Sequence, residues 1–360
     1  MDTAKTDYLI AGGGLAGLVL AVELQSRGLD FRIVDASDLN GACNACAGVV
    51  NPVTGMRHVL SWKSDQLVEA LLAFFEQWEF RTGKQYLRSV PVFTSLQSVF
   101  DENQWMLRSG DPVYQEYVGS TVFSGLFANC SLDDQRFGQV HRAFRLDVAP
   151  WLAHAKEWLK LQGCWIDDKF SAEDLIRTPN ALEWKGIRIA KGIAFTEGIR
   201  VLDNPYFGWL PMNPLKGDAL VISCPGLRLD AIVKSGFALV PIGGDHYWCG
   251  SSFVLGDRSE YPDPAFIVQL NKWLEEHLQS PFDVLEVKSG VRPASRDRRP
   301  ILGPHPGDSR LLVFNGLGTK GVSLAPYCAR TMGDYLTSGT PIPHSMSVGR
   351  FDRWLRPLPN

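Results

Sequence analysis

The feature that most constrains this chain is Gly12-Gly13-Gly14-Leu15-Ala16-Gly17, a G-x-G-x-x-G turn close to its start. A short apolar run, Asp7–Ala11, precedes it. Leu15 to Leu24 is helix-compatible, Arg27-Gly28 supplies a C-terminal stop, and Phe31–Val34 reads as a second strand. Strand, turn, helix and strand within the first thirty-five residues predict a βαβ unit on a parallel sheet. Each glycine has a mechanical task. Gly12 permits the tight turn, Gly14 lets a pyrophosphate approach the backbone, and Gly17 lets the helix pack closely on the sheet. The helix start at Leu15 and Ala16 offers unpaired N–H groups and a partial positive charge to the phosphates. Asp35, followed by Ala36, ends the second strand 18 residues after Gly17, where an acid can accept hydrogen bonds from ribose hydroxyls. The turn serves FAD and NAD alike. Asp35 disfavours a 2′-phosphate, and with it NADP.

With 360 residues, 45% hydrophobic and 21% charged, the chain excludes a disordered protein, a coiled coil and a collagen-like fibre. The net charge of −3 leaves no whole-chain electrostatic footprint for nucleic acid. Seven scattered cysteines, an odd number, read as reduced thiols in a cytoplasmic protein. The most apolar stretch, Tyr8 to Leu24, is broken by glycines and holds Glu23, so no membrane span is expected. Met1–Asp7 lacks the clear positive region of a signal peptide.

Leu67, Leu71, Phe74, Phe75 and Trp78 mark one face of a helix. Val148 to Leu161 reads as another, opened by Asp147 and closed by Gly163. Residues 86–145 carry aromatics, turns and short β-like runs such as Val90–Thr94. Gly217 to Val254 reads as antiparallel sheet, Pro264–Gln279 as helix, and roughly Val322 to Leu336 as the last helix. The fold class expected is α/β (α+β overall): a Rossmann-type dinucleotide-binding domain interleaved with an antiparallel β-sheet substrate domain. Residues 1–82, 146–210 and 290–345 would build the first, 83–145 and 211–289 the second, with 346–360 as a C-terminal tail.

Further motifs bear on the cofactor. Gly290-Val291-Arg292-Pro293 opens a run to Gly303, followed by a strand at Leu311–Phe314. Then comes Asn315-Gly316-Leu317-Gly318-Thr319-Lys320-Gly321. Together with Pro214-Leu215-Lys216-Gly217-Asp218 and Ala47-Gly48-Val49-Val50-Asn51-Pro52, this succession resembles the FAD-dependent D-amino-acid oxidase superfamily, most closely its glycine oxidase and sarcosine oxidase branch. The resemblance implies FAD, with Ala47 and Gly48 in a loop beside the flavin. Gly316, Gly318, Thr319, Lys320 and Gly321 would form a second turn against it. A helix beginning near Val322 would point its positive end at the flavin and stabilise the anion formed on reduction.

Arg292 matches the arginine that holds the substrate carboxylate in that branch. A guanidinium fork fixes both position and orientation of a carboxylate, and would set the substrate Cα over flavin N5 for hydride transfer. A pairing of Arg292 with a structural acid such as Asp297 is the alternative. Lys320 is either a stabiliser of reduced flavin or of oxygen reduction, or a solvated turn lysine. Two departures stand out. Ala238 occupies the position of a substrate-contacting tyrosine, which widens the pocket or removes a carboxylate contact. Gly290 occupies the position of the cysteine that tethers flavin in sarcosine-oxidase-type enzymes, so FAD is expected to be non-covalent.

Cys43-Asn44-Ala45-Cys46 has redox or half-zinc spacing, but no second pair follows, and no metal site is expected. Trp62 lines the pocket or joins the core. Arg296, Arg298 and Arg299 read as a solvated turn before an anion patch. The expected function is oxidation of the C–N bond of a small-molecule amine or amino acid, with oxygen or a carrier as acceptor. The Gly318–Gly321 segment also resembles the FAD domain of the bacterial enzyme that trims a carboxymethyl group from modified wobble uridine, so tRNA is a secondary candidate substrate. A flavin-binding protein without turnover is the third.

Overall fold

A computed structural model describes residues 4–36, 41–55, 57–125, 127 and 135–358. Two sheets organise them. The first is mainly parallel. Lys5–Ala11 lies between Phe31–Val34 and Ile187–Phe195, and Ile187–Phe195 pairs in turn with Asp308–Asn315. Trp165–Ile166 extends the sheet at one edge, and Ile301–His305 closes the other as an antiparallel hairpin. This is the βαβ arrangement that the first thirty-five residues predict. Helix Leu15–Ser26 is buried along most of its length, which explains its apolar composition all round. It packs with Ser64–Thr82, Val148–Leu161 and Gly321–Ser338 over one face of the sheet, in a core containing Leu18, Leu71, Trp151 and Ala325. The opposite face is covered by Trp184, Phe207, Trp209 and Phe351.

The second sheet is antiparallel apart from one parallel pair, Ile232–Ser235 on Val92–Leu96. Its longest pairing joins Met212–Ser223 to Asp283–Ser295, with Gly217 opposite Gly290 and Leu215 opposite Arg292. His246–Gly250 and Phe237–Gly243 follow on the other side. Helix Pro264–His277 buries Leu270 and Leu274 against one face. Ala47, Val49 and Ala238 pack against the cluster on the other face, which holds Trp105, Val240 and Trp248.

Two segments depart from the sequence reading. The 283–295 strand carries the antiparallel sheet past residue 290, where the chain was expected to cross back, because it pairs with one long neighbour from Asp283 to Ser295, interrupted only by a bulge. Residues 346–358 are no free tail: Met346, Val348 and Phe351 are buried on the first sheet's layers, and Leu302 bridges Ser347. Helix Val99–Ser109 has no counterpart in the reading of residues 86–145. Its Ser98 Oγ accepts from Asp101 N at 3.1 Å, a local cap. Of its residues only Trp105 is buried, while Val99, Phe100, Met106 and Leu107 share a face that is exposed, so its apolar face meets solvent rather than the core.

Candidate functional site

The first turn is held by backbone approaches that admit no side chain. Gly12 sits at φ +111°, and a Cβ on Gly17 would lie 1.9 Å from Gly12 O. The buried Thr196 hydroxyl, at the end of the 187–195 strand, donates to Gly12 O at 2.7 Å. Thr196 was missed in sequence because nothing local links it to a turn 184 residues away. Outside the turn there is room. A Cβ on Gly14 would meet only Cys43 Sγ, at 3.9 Å. No side chain caps helix 15–26, and Leu15 N finds only Cys43 Sγ at 3.5 Å, a weak acceptor. Donors left in this way at a helix start fit a pyrophosphate. Asp35 lies against Gly13, whose Cβ would come 2.8 Å from the Asp35 Cβ, so the acid stands beside the turn as its spacing predicts. Ala16 is half-buried and Ala36 exposed next to them.

Glu197 follows Thr196. Burial pushes its carboxyl up to about 7, although Asn204 Nδ2 donates to it at 2.7 Å. Between the ordinary carboxylate range and that value the folded chain keeps a proton which the unfolded chain releases, so stability falls as pH rises through this window. Thermal unfolding checks it: Glu197→Gln is expected to raise Tm at about pH 8 and to leave it near the wild-type value at about pH 4.

The second turn arrives beside the first. A Cβ on Gly321 would lie 3.3 Å from Leu15 Cδ2, so helices 15–26 and 321–338 start next to each other and their positive ends converge. Gly316 and Gly318 take φ of +74° and +53°. Asn315, another residue missed in sequence, holds the turn: its Oδ1 accepts from Gly316 N at 2.7 Å and its Nδ2 donates to Gly198 O at 2.8 Å. Thr319 belongs to a short 3-10 turn, Gly318–Lys320, ahead of the helix. Lys320 Nζ donates to Ser61 Oγ at 2.8 Å. Burial, with Arg299 and Arg298 nearby, pushes its ammonium pKa down.

The loop containing Ala47 and Gly48 joins the two sheets. Gly48 has φ +75°, and a Cβ there would lie 2.0 Å from Leu146 O. Trp248 Nε1 donates to Ala45 O at 3.0 Å, tying the short helix Ala42–Ala45 to the antiparallel sheet. That helix fills the space over Gly290, where a Cβ would lie 3.0 Å from Ala45 Cβ and 3.1 Å from Ala42 Cα. A side chain at 290 would have to push this helix back by a few tenths of an ångström.

Arg292 lies on the same strand. Its guanidinium covers Gly217, where a Cβ would sit 2.0 Å from Nη2. Nη2 donates to Ser251 Oγ at 2.6 Å, and Nη1 lies 3.4 Å from both Lys216 O and Ser252 O. The Phe253 ring is 5.4 Å away. Burial lowers the guanidinium pKa, opposed by Cys46 and Asp218. Among the described residues no carboxylate pairs with it. Asp297, the acid that sequence offered as its structural partner, is bound by Arg350 Nε at 2.8 Å.

Trp62 meets Tyr327 edge-on and carries the Arg299 guanidinium 4.9 Å above its ring. Arg296 and Arg298 are exposed. Every described cysteine is free. Among the described residues no cluster could hold a metal, and no helix is long and apolar enough to cross a membrane.

Comparison with known proteins bears on the fold and the cofactor. A family model described as FAD dependent oxidoreductase matches residues 180–335, and one described as FAD binding domain matches residues 7–90. Glycine oxidase of Pseudomonas aeruginosa is 22% identical over 93% of this chain and 95% of its own length. The tRNA 5-methylaminomethyl-2-thiouridine biosynthesis bifunctional protein MnmC of Idiomarina loihiensis is 24% identical over 96% of the chain, which spans only 59% of that longer protein. Among solved structures, iminodiacetate oxidase from a Chelativorans species superposes with a TM-score of 0.78 at 19% identity, covering 94% of this chain and 99% of that one.

Proposed function

Because the chain belongs to the FAD-dependent oxidoreductases of the D-amino-acid oxidase superfamily, we propose that it oxidises the C–N bond of a small amino acid whose carboxylate is held by Arg292. The observation that carries this reading is a half-buried guanidinium that makes no ion pair among the described residues, held by Ser251 Oγ and backbone carbonyls. Removing such a group from water is unfavourable unless an anion meets it, and a planar fork meets a carboxylate best. FAD, when bound, supplies the two-electron acceptor. The two helix starts and the glycine turns hold it through backbone, which supports a non-covalent site. Arg292 orients the substrate, and Ser251 Oγ orients Arg292. The imine product then hydrolyses to a carbonyl compound and an amine. Oxygen or a carrier takes the electrons onward. Free thiols support a cytoplasmic setting.

The test is anaerobic. Amines added to purified protein should bleach the flavin when they carry a carboxylate, and much less when they do not. Acid precipitation of the same sample should leave intact FAD in the supernatant. Bleaching by no amine would overturn turnover, and flavin retained in the pellet would overturn the non-covalent site. Modified tRNA remains the second reading, supported by the match to the bifunctional protein and disfavoured by the net charge of −3.

A further inference from the structure

The segment after Gly250 runs beside the strand that carries Gly217. Ser252 N donates to Asp218 O at 3.1 Å, and Gly256 N donates to Pro214 O at 2.8 Å. Between them Val254 and Leu255 pair with Lys216 and Leu215. This register sets Phe253 beside Gly217, and residues opposed in neighbouring strands share a face of the sheet. Leu215 also stands opposite Arg292 on its other side, so Phe253, Leu255 and Arg292 belong to one face. Lys216 and Asp218, which alternate with Leu215 and Gly217, reach the other way. Lys216 Nζ donates to Ser259 Oγ at 2.9 Å, and Asp218 Oδ2 accepts from Asp263 N at 3.1 Å, where the chain leads into helix Pro264–His277.

The Arg292 guanidinium therefore lies over Gly217 between two unlike neighbours. On the side of Gly290, helix Ala42–Ala45 packs so closely that a Cβ at 290 would already touch it. On the other side stands the Phe253 ring, 5.4 Å from the guanidinium carbon. That ring is 68% exposed, and Leu255, two residues on, is 66% exposed. A single apolar side chain in water needs no explanation. Here two of them share a face with a half-buried cation. They also lie at the end of the sheet, where charged residues are the usual protection.

We propose that Phe253 and Leu255 form an apolar wall beside Arg292, and that the substrate is an α-amino acid with an apolar side chain that covers them when its carboxylate is bound. This names the substrate class for the site at Arg292 and rests on the reading of that residue as a carboxylate anchor. A carboxylate on the guanidinium brings its Cα substituent within one side chain's reach of the ring, while the opposite side is taken by helix 42–45. Glycine would leave both side chains in water. A leucine-sized substituent would remove apolar area from water on ligand and protein together.

The probes are acetate and 4-methylpentanoate, which is leucine without its amine, titrated calorimetrically into the FAD-loaded protein. The wild type should bind 4-methylpentanoate about tenfold tighter or more, the usual yield of burying such a side chain. Phe253→Ser should cut that preference to about threefold or less with acetate affinity unchanged, and Phe253→Leu should keep most of it. FAD content per chain reports folding. If Phe253→Ser loses FAD, Leu255→Ser, expected to lower the preference in the same direction, decides the matter. Equal affinities in the wild type, or a preference that survives these substitutions, would overturn the wall. So would an equal loss of both ligands in Phe253→Ser, because the ring would then serve only to pack the guanidinium. If acetate binding depends on Arg292 and the preference is absent, only this inference fails. If acetate does not bind, or binds as well to Arg292→Ala, the anchor reading fails and takes this inference with it.

Discussion

Arg292→Ala is expected to lower kcat/KM for a carboxylated amine by about a hundredfold or more, with FAD content per chain unchanged. Arg292 stands in the unbroken paired stretch 286–295 of its strand, with its guanidinium fixed over Gly217 by Ser251 Oγ. An anchor of that kind fixes the reacting carbon, and misplacement is costly because positioning is much of what such a reaction requires. Truncation also leaves the substrate carboxylate unpaired in a half-buried site, typically a cost of about 3–5 kcal/mol. An amine without a carboxylate should lose far less. Steady-state kinetics with one substrate of each kind separate the possibilities. Equal losses for both would mean that Arg292 supports the fold or the flavin, and the anchor would be elsewhere.

The second large effect falls on the cofactor. Gly17→Ala is expected to give a chain that retains almost no FAD. The added Cβ would lie 1.9 Å from Gly12 O, the turn's own backbone, and 2.8 Å from the Thr196 Oγ1 that is hydrogen-bonded to it. Neither is the free end of a flexible side chain. The helix must move off the strand, and the backbone donors at Leu15 and Ala16 lose their common aim. Flavin absorbance per chain after gel filtration measures the outcome. A yellow Gly17→Ala protein with wild-type FAD content would show that the cofactor does not rest on this turn.

Much of the fold was legible because the signals were local. The glycine turn, the strand after it and the Asp35 position depend on residues within one βαβ unit. Helix Val148–Leu161 has the bounds its pattern predicts. Helix Val99–Ser109 went unread although Val99, Phe100, Met106 and Leu107 recur at helical spacing; the residue that docks it, Trp105, lies off that face, and only the tertiary structure shows it. The strand end at Ser295 was illegible for a different reason. Strand length is set by the neighbour's length, and the neighbour lies some seventy residues upstream in sequence (Gly217 to Gly290).

The same division runs through the site. Sequence alone determined which backbone can approach a dinucleotide, because missing side chains at Gly12, Gly14 and Gly17 are a property of the residues themselves. It also selected Arg292 and Lys320 as charges worth following, and Gly290 as a place without a tether. Only the tertiary structure decided what each charge meets. Asp297 is a near neighbour of Arg292 in sequence, yet it belongs to Arg350, because alternation along a strand and the turn after it send the two side chains apart. Thr196 and Asn315 close turns formed by distant segments. Arg292 meets Gly217 through register, which pairs its strand with the one that carries Gly217. Register is a long-range quantity: it is set by pairing between strands, and no single strand's sequence contains it.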